Sequence, residues 1–90
     1  MTTLSFTPAL KRFFPKLVEK NWAADNVKQL LEDLEREHPG IRSYLCDESG
    51  ALRQHINIFV DGSLLKDRQD LSDELIDAQE VLIFQALSGG

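Results

Sequence analysis

One amphipathic helix constrains the fold of this chain more than any other stretch. Its apolar residues have the i, i+3, i+4, i+7 spacing of a single helical face and are Val27, Leu30, Leu31 and Leu34. Asp25 is the expected N-cap of this helix, and Pro39 with Gly40 ends it after His38. Because it is the one clear helix in 90 residues, strands must bury its apolar face, which predicts an α+β fold.

Five strands are predicted around this helix. Each is a short run rich in apolar residues, most with a clear period of two, and together they cover residues 2–7, 16–20, 53–60, 63–65 and 80–86. The first two are expected to form a hairpin with a long connection. Asp61 and Gly62 mark a tight turn between the third and fourth.

The connections are predicted to contain little regular structure. Residues 9–14 form one helical turn, residues 41–52 a connector and residues 66–80 an acidic loop. The apolar residues of these segments that are expected to turn inward or tuck under are Leu10, Phe13, Phe14, Leu71, Leu75 and Ile76.

Strand alternation assigns residues to the two faces of the sheet. The residues expected to meet the helix are Ile56, Ile58, Val60, Val81 and Ile83. Phe59, Leu82 and Phe84 then lie together on the opposite face, which a single helix leaves uncovered. Apolar residues clustered on an uncovered face predict a docking surface for a partner protein. The alternative is that a loop or the segment 66–76 covers them.

Charge is unevenly spread along the chain. The net charge is −5, and residues 1–20 carry four basic and one acidic side chain, or +3, so residues 21–90 carry −8. An acidic body argues against binding to nucleic acid. It favours a protein partner with a basic docking surface, or it serves solubility alone. Lys11, Arg12 and Lys16 form either an anion site or a solvated rim.

Length and cysteine usage indicate a small cytoplasmic protein. Ninety residues allow one domain with one modest core. Cys46 is the one cysteine and cannot form an internal disulfide, which fits a reducing cytosol. Apolar runs are too short for a membrane span, and the first residues lack the pattern of a signal peptide.

Few side chains suggest catalysis or metal binding. Cys46 stands beside Asp47 and Glu48, whose carboxylates disfavour a thiolate. His38 and His55 are far apart in the sequence and lack the spacing of zinc ligands. The sequence therefore predicts no metal site.

The sequence ends on Gly89 and Gly90, close behind the last predicted strand. Glycine has no Cβ, so two in succession make a thin arm that can thread into another protein and present a carboxylate. The alternative is a frayed terminus. We expect residues 1–86 to form the domain and residues 87–90 a flexible tail, with Leu87 and Ser88 at the transition.

The element order β-β-α-β-β-β, with an apolar last strand and two final glycines, resembles the β-grasp (ubiquitin-like) fold. Within that fold the chain is similar to the small sulfur-carrier family. That family includes the small subunit of molybdopterin synthase, the thiamine sulfur carrier and carriers linked to a cysteine-synthase-like enzyme. The matching segments are residues 27–35, 38–40, 55–62, 77–84 and 86–90. One departure is Gln85, near the position where many relatives carry proline.

The resemblance implies a five-stranded mixed sheet packed on one main helix, and a chemistry for the tail. A separate, ATP-dependent adenylating enzyme activates the carboxylate of Gly90, and a sulfur donor protein converts the adenylate to a thiocarboxylate. A sulfur-accepting biosynthetic enzyme then takes the sulfur for molybdopterin, cysteine, a thiolated tRNA or a specialised metabolite. Gly89 gives slim access to the active site.

The resemblance also implies how the carrier is held. The residues expected to serve partner docking are Phe59, Leu82, Phe84, Leu87 and Ser88. The chain is then a co-substrate, or the small subunit of an enzyme complex, and binds no cofactor itself. Two other functions stay open: a ubiquitin-like modifier joined to lysines of other proteins through Gly90, and a binding module that does not use the glycines.

Overall fold

The computed structural model describes residues 1–86. Its elements in chain order are β1 (Thr2–Phe6), α1 (Pro8–Phe13), β2 (Lys20–Trp22), α2 (Val27–Glu37), α3 (Ile41–Leu45), β3 (Ile56–Val60), β4 (Ser63–Leu64) and β5 (Glu80–Gln85). The strands form one sheet in the order β2-β1-β5-β3-β4. Strands β1 and β5 are parallel, and the other neighbouring pairs are antiparallel. The mixed five-stranded sheet expected from the sequence is confirmed.

The core lies between this sheet and α2. The four apolar residues of the helix stripe are at most 1% exposed. They belong to one buried cluster with inward-facing strand residues that include Leu4, Ile56, Ile58, Val81 and Ile83. Val60 is partly buried at the margin of the cluster. The prediction that the main helix covers one face of the sheet is therefore confirmed.

Asn26 caps α2, and the prediction of Asp25 is wrong. The backbone of Asn26 is extended (φ −151°, ψ 172°), and its side chain accepts a hydrogen bond from the backbone N–H of Gln29 at 2.8 Å. Asp25 lies one residue too early. Its N–H donates to Gln29 Oε1 at 2.9 Å, and its carbonyl accepts from the N–H of Leu75 at 2.8 Å. The latter bond ties the helix start to the segment before β5.

Strand β2 lies later than predicted. Residues 17–19 carry no regular secondary structure, and pairing with β1 begins only at Lys20, opposite Leu4. Leu17 is buried in the core, but Val18 is 52% exposed. The expected antiparallel pairing of the first two strands is confirmed.

The short helix α1 also differs in one side chain. Leu10 is fully buried and Phe14 packs against the core, as expected, but Phe13 is 62% exposed. A helix of six residues turns only one side to the core. The ring of Phe13 instead lies 5.1 Å from that of Tyr44, centroid to centroid.

The connector after α2 contains the helix α3, which the sequence pattern did not predict. Its N-cap is Gly40, whose φ of 98° lies in the left-handed region that glycine adopts without strain. The helix buries Ile41 and Leu45. Two carboxylate bonds hold its start, because Glu35 accepts from the backbone N–H groups of Gly40 and Arg42 at 2.9 and 3.0 Å. These bonds hold the pKa of Glu35 below its usual value.

The acidic segment before β5 packs largely as expected. Leu71 and Leu75 are buried, whereas Ile76 is 65% exposed and its predicted inward position is wrong. Asp67 organises the loop by accepting hydrogen bonds from the backbone N–H groups of Gln69, Asp70 and Ser72 and from the Ser72 hydroxyl.

Candidate functional site

The outer face of the sheet, opposite α2, carries apolar side chains on β3 and β5. The antiparallel register sets Phe59 opposite Leu82 and Asn57 opposite Phe84. The rings of Phe59 and Phe84 meet edge to face, with their centroids 6.4 Å apart. Phe84 is 39% exposed, and Phe59 and Leu82 are half-buried. The structure therefore brings together the three residues that strand alternation put on this face.

Leu64 belongs to the same surface, although it was not among the residues predicted to lie there. The two-residue turn at Asp61 and Gly62 sets the register of β4, so that Leu64 lies opposite Phe59. It is 52% exposed. Counting outward from the turn gives this register, so the signal was present in the sequence. We refer to Phe59, Leu64, Leu82 and Phe84 as the outer-face cluster.

The segment 66–76 does not bury the outer-face cluster. Its leucines, Leu71 and Leu75, are at most 4% exposed and belong to the core on the other side. The side chain of Arg68, from this segment, reaches the outer face. Its Nη1 donates to Asn57 Oδ1 at 3.0 Å, and its Nη2 donates to the carbonyl of Arg53 at 2.7 Å. The aromatic edge of the cluster stays exposed beside this guanidinium.

The end of β5 is fastened to three other elements. The backbone N–H of Gln85 donates to Thr7 Oγ1 at 3.1 Å, next to β1, and Tyr44 of α3 donates from its hydroxyl to Gln85 Oε1 at 2.9 Å. The N–H of Ala86 donates to the carbonyl of His55, beside β3, at 2.8 Å. A proline at position 85 would lack the first of these donors. The end of the described chain, at Gln85 and Ala86, is thus held against the rest of the domain.

Four predicted site residues lie outside the described part of the chain. They are Gly89 and Gly90, expected to carry the chemistry, and Leu87 and Ser88, expected to serve docking. The structure therefore describes the chain up to Gln85 and Ala86, and the surface beside these residues.

The other candidate sites are not assembled. Cys46 is 4% exposed, and burial raises the pKa of its thiol, which disfavours the reactive thiolate. Within residues 1–86, His, Cys, Asp and Glu side chains form no group of three or more that could hold a metal ion.

The three basic residues near α1 are not brought to one site either. Lys11 donates from Nζ to the carbonyl of Leu17 at 2.8 Å. Arg12 lines a groove beside Phe84, and Lys16 lines a different depression. The described helices are all too short or too polar to cross a membrane.

Comparison with known proteins identifies the family. The model of the ThiS family matches residues 12–90. A search of curated proteins finds no significant match. Among solved structures, the complex of BexX and CysO from Amycolatopsis orientalis contains a chain 24% identical, with a TM-score of 0.83 and full coverage of both chains. CysO of Mycobacterium tuberculosis is 25% identical over 97% of this chain and 100% of that one, with a TM-score of 0.80.

A third similar structure is SAMP1 from Haloferax volcanii, 23% identical with a TM-score of 0.75, covering 99% of this chain and 98% of that one. These neighbours share the mixed sheet and packed helix described above, which confirms the β-grasp fold. The family match confirms the predicted resemblance to small ubiquitin-like sulfur carriers. The match over residues 12–90 shows that the chain belongs to the ThiS family.

Proposed function

We propose that this chain is a sulfur carrier whose last residue, Gly90, is adenylated and then converted to a thiocarboxylate. The observation that carries the proposal is the family match, which runs through the two glycines to residue 90. A separate adenylating enzyme supplies ATP chemistry, a sulfur donor protein supplies the sulfur, and a biosynthetic enzyme accepts it. The product is molybdopterin, cysteine or a specialised sulfur metabolite.

The chemistry explains why activation must come first. A carboxylate is a poor acyl donor because its leaving group would be oxide. Attack of a Gly90 carboxylate oxygen on the α-phosphorus of ATP releases pyrophosphate and creates an acyl-adenylate. A persulfide of the donor then displaces AMP and forms an acyl disulfide. A thiol attacks the donor-side sulfur, which releases the Gly90 thiocarboxylate and leaves a disulfide, so one difficult step becomes several easier ones. The carrier contributes the carboxylate and no catalytic group, so it acts as a co-substrate that binds no cofactor itself.

In the proposed carrier, different residues serve docking and reaction. The outer-face cluster provides the docking surface on the domain of residues 1–86, with Leu87 and Ser88 as further contacts at the start of the tail. Gly89 lets the tail enter a narrow active site, because it has no side chain to exclude. We place the reaction in the cytoplasm, since the lone thiol of Cys46 suits a reducing compartment.

Two neighbours bear on the partners. The Amycolatopsis orientalis CysO is in a complex with BexX, which favours a stable docking contact between this carrier and a sulfur-transfer enzyme. A similar protein, SAMP1, is named a small archaeal modifier protein. That likeness favours one alternative, in which the activated Gly90 is joined to lysines of other proteins.

Intact-protein mass spectrometry tests the sulfur-carrier function. The carrier is incubated with the adenylating enzyme from its own organism, ATP and a sulfur donor. We expect a species in which one oxygen is replaced by sulfur, and we expect deletion of Gly90 to abolish it without changing thermal unfolding. Absence of this species despite formation of the acyl-adenylate would contradict the proposal.

A second measurement separates the modifier alternative. Gly-Gly remnants on cellular lysines, lost when Gly90 is deleted, would support conjugation. If thiocarboxylate is abundant and such remnants are absent, the carrier function stands alone. If removal of residues 88–90 leaves cellular function undiminished, the glycines are incidental and the chain is a binding module.

A further inference from the structure

A groove lies beside the base of the arm because β1 and β5 are parallel. Parallel strands finish at the same edge of a sheet, so α1 begins where β5 ends. The N–H of Thr7 extends the ladder by donating to the carbonyl of Ile83 at 3.1 Å. The resulting groove has a volume of about 420 Å³. Its lining residues are Thr7, Pro8, Ala9, Arg12, Phe84 and Gln85.

Two guanidinium groups flank Phe84 at this end of the outer face. On α1, Arg12 lies four residues after Pro8 and three after Ala9. This helical spacing places its side chain on the same wall of the groove as theirs. Arg68 stands on the other side, bonded to Asn57, which lies opposite Phe84. Neither arginine forms an ion pair with a carboxylate in the described range.

The other end of the outer face is acidic. Glu80 begins β5, and Asp61 lies beside it, since the Asp61 carboxylate accepts from the N–H groups of Gln79 and Glu80 at 2.9 Å. Positions 80 and 84 of a strand are about 13 Å apart. That separation exceeds the Debye length of about 8 Å at physiological ionic strength, so the two ends present their charges separately. Between them lies the outer-face cluster.

We propose that this polarity selects the partner and its orientation. The surface of the adenylating enzyme that meets the outer face carries Asp or Glu carboxylates against Arg12 and Arg68, and an apolar side chain enters the groove beside Phe84. The proposal rests on the proposed function. It reverses the expectation from net charge, which favours a basic partner, because the local charge at the base of the arm is positive.

Orientation matters because the arm is short. Four residues span at most about 14 Å, which is close to the length of the cluster itself. A carrier docked end for end would move the base of the arm by a similar distance and leave Gly90 out of reach of the active site. Like charges placed opposite each other in the reversed complex disfavour it.

Steady-state kinetics with the purified adenylating enzyme tests this inference. Pyrophosphate exchange is measured for the wild type, Arg12→Glu and the matched control Arg36→Glu, which makes the same charge change on α2. We expect Arg12→Glu to raise the KM for the carrier about tenfold and to change kcat much less. Arg36→Glu should change the same KM less than about twofold. The difference should shrink as salt rises from about 0.05 M to about 0.5 M.

The second variant, Arg12→Glu/Arg68→Glu, should raise this KM further, with thermal unfolding as the check that it still folds. Equal KM values for Arg12→Glu and Arg36→Glu would overturn the inference and leave the sulfur-carrier function intact, since the wild type would still turn over. A change in the KM for ATP would show that the guanidinium meets the nucleotide, which also overturns it. A wild type that is never adenylated overturns both.

Discussion

Ile83 and Phe84 are neighbours in β5 that face opposite sides of the sheet, and replacing each with alanine separates folding from docking. Ile83 is fully buried in the core beneath α2, and Phe84 is 39% exposed on the outer face. Ile83→Ala should therefore cost stability, and Phe84→Ala should chiefly cost partner binding. The comparison is controlled internally, because both variants alter the same strand.

The structure sets the expected magnitudes. A fully buried isoleucine replaced by alanine costs about 2–5 kcal/mol, and the enclosed position of Ile83 places it near about 4 kcal/mol. A fully buried phenylalanine costs about 3–5 kcal/mol, but Phe84 buries only part of its ring and leaves no closed cavity, so about 1–2 kcal/mol is expected. For a domain of this size, 1 kcal/mol shifts Tm by about 4–8 °C.

Urea unfolding and adenylation kinetics provide the two measurements. Ile83→Ala should lower the unfolding midpoint strongly, while the KM of its folded fraction stays near the wild-type value. Phe84→Ala should lower the midpoint slightly and raise the KM for the carrier. If the two variants lost equal stability, the assignment of Phe84 to an open face would be refuted. An unchanged KM for Phe84→Ala would remove it from the docking surface.

Three further perturbations test the local structure. Asn26→Ala should cost about 1 kcal/mol of unfolding free energy in urea, and Asp25→Ala clearly less, because only the Asn26 side chain caps α2. Gly40→Ala should lower Tm, because alanine in this left-handed backbone conformation costs about 1–2 kcal/mol. A steric clash should add nothing to this cost, since the added Cβ meets no atom closer than 4.0 Å. Hydrogen bonds, first from the Ser72 hydroxyl, lower the pKa of Asp67 from 3.8 to about 2. The stability that ionised Asp67 adds is fully present above pH 3.8 and is lost as the pH falls towards about 2. In a plot of the urea unfolding midpoint against pH, Asp67→Asn should therefore reduce the fall at low pH.

Long periodic segments determined most of what the sequence could predict. The stripe of α2 and the alternation of β3 and β5 each repeat over several residues, so their period and buried face are unambiguous. Short segments carry no such repeat. Leu17 and Val18 fit a strand as well as a loop, and only the pairing of Lys20 with Leu4 decides where β2 begins.

The candidate site was predictable to the extent that it depends on alternation. Phe59, Leu82 and Phe84 share a face because of the strand period alone. The position of Arg68 depends on its bond to Asn57, made by a loop of irregular conformation, and no local pattern encodes it. The groove at Arg12 likewise depends on the parallel pairing of β1 with β5, which joins the two ends of the chain.

The same long-range pairing explains why the charge at the proposed docking surface differs in sign from the net charge. Helix α2 contributes −2 of the net charge of −5, and that helix covers the face of the sheet opposite the outer-face cluster. A packed layer about 10 Å thick separates the two sides, and at physiological ionic strength charges interact strongly only within about 8 Å. A partner approaching the base of the arm therefore meets Arg12 and Arg68 before the acidic helix. The sign of the charge beside Phe84 follows from which strands are neighbours, because that pairing decides which charged side chains stand there.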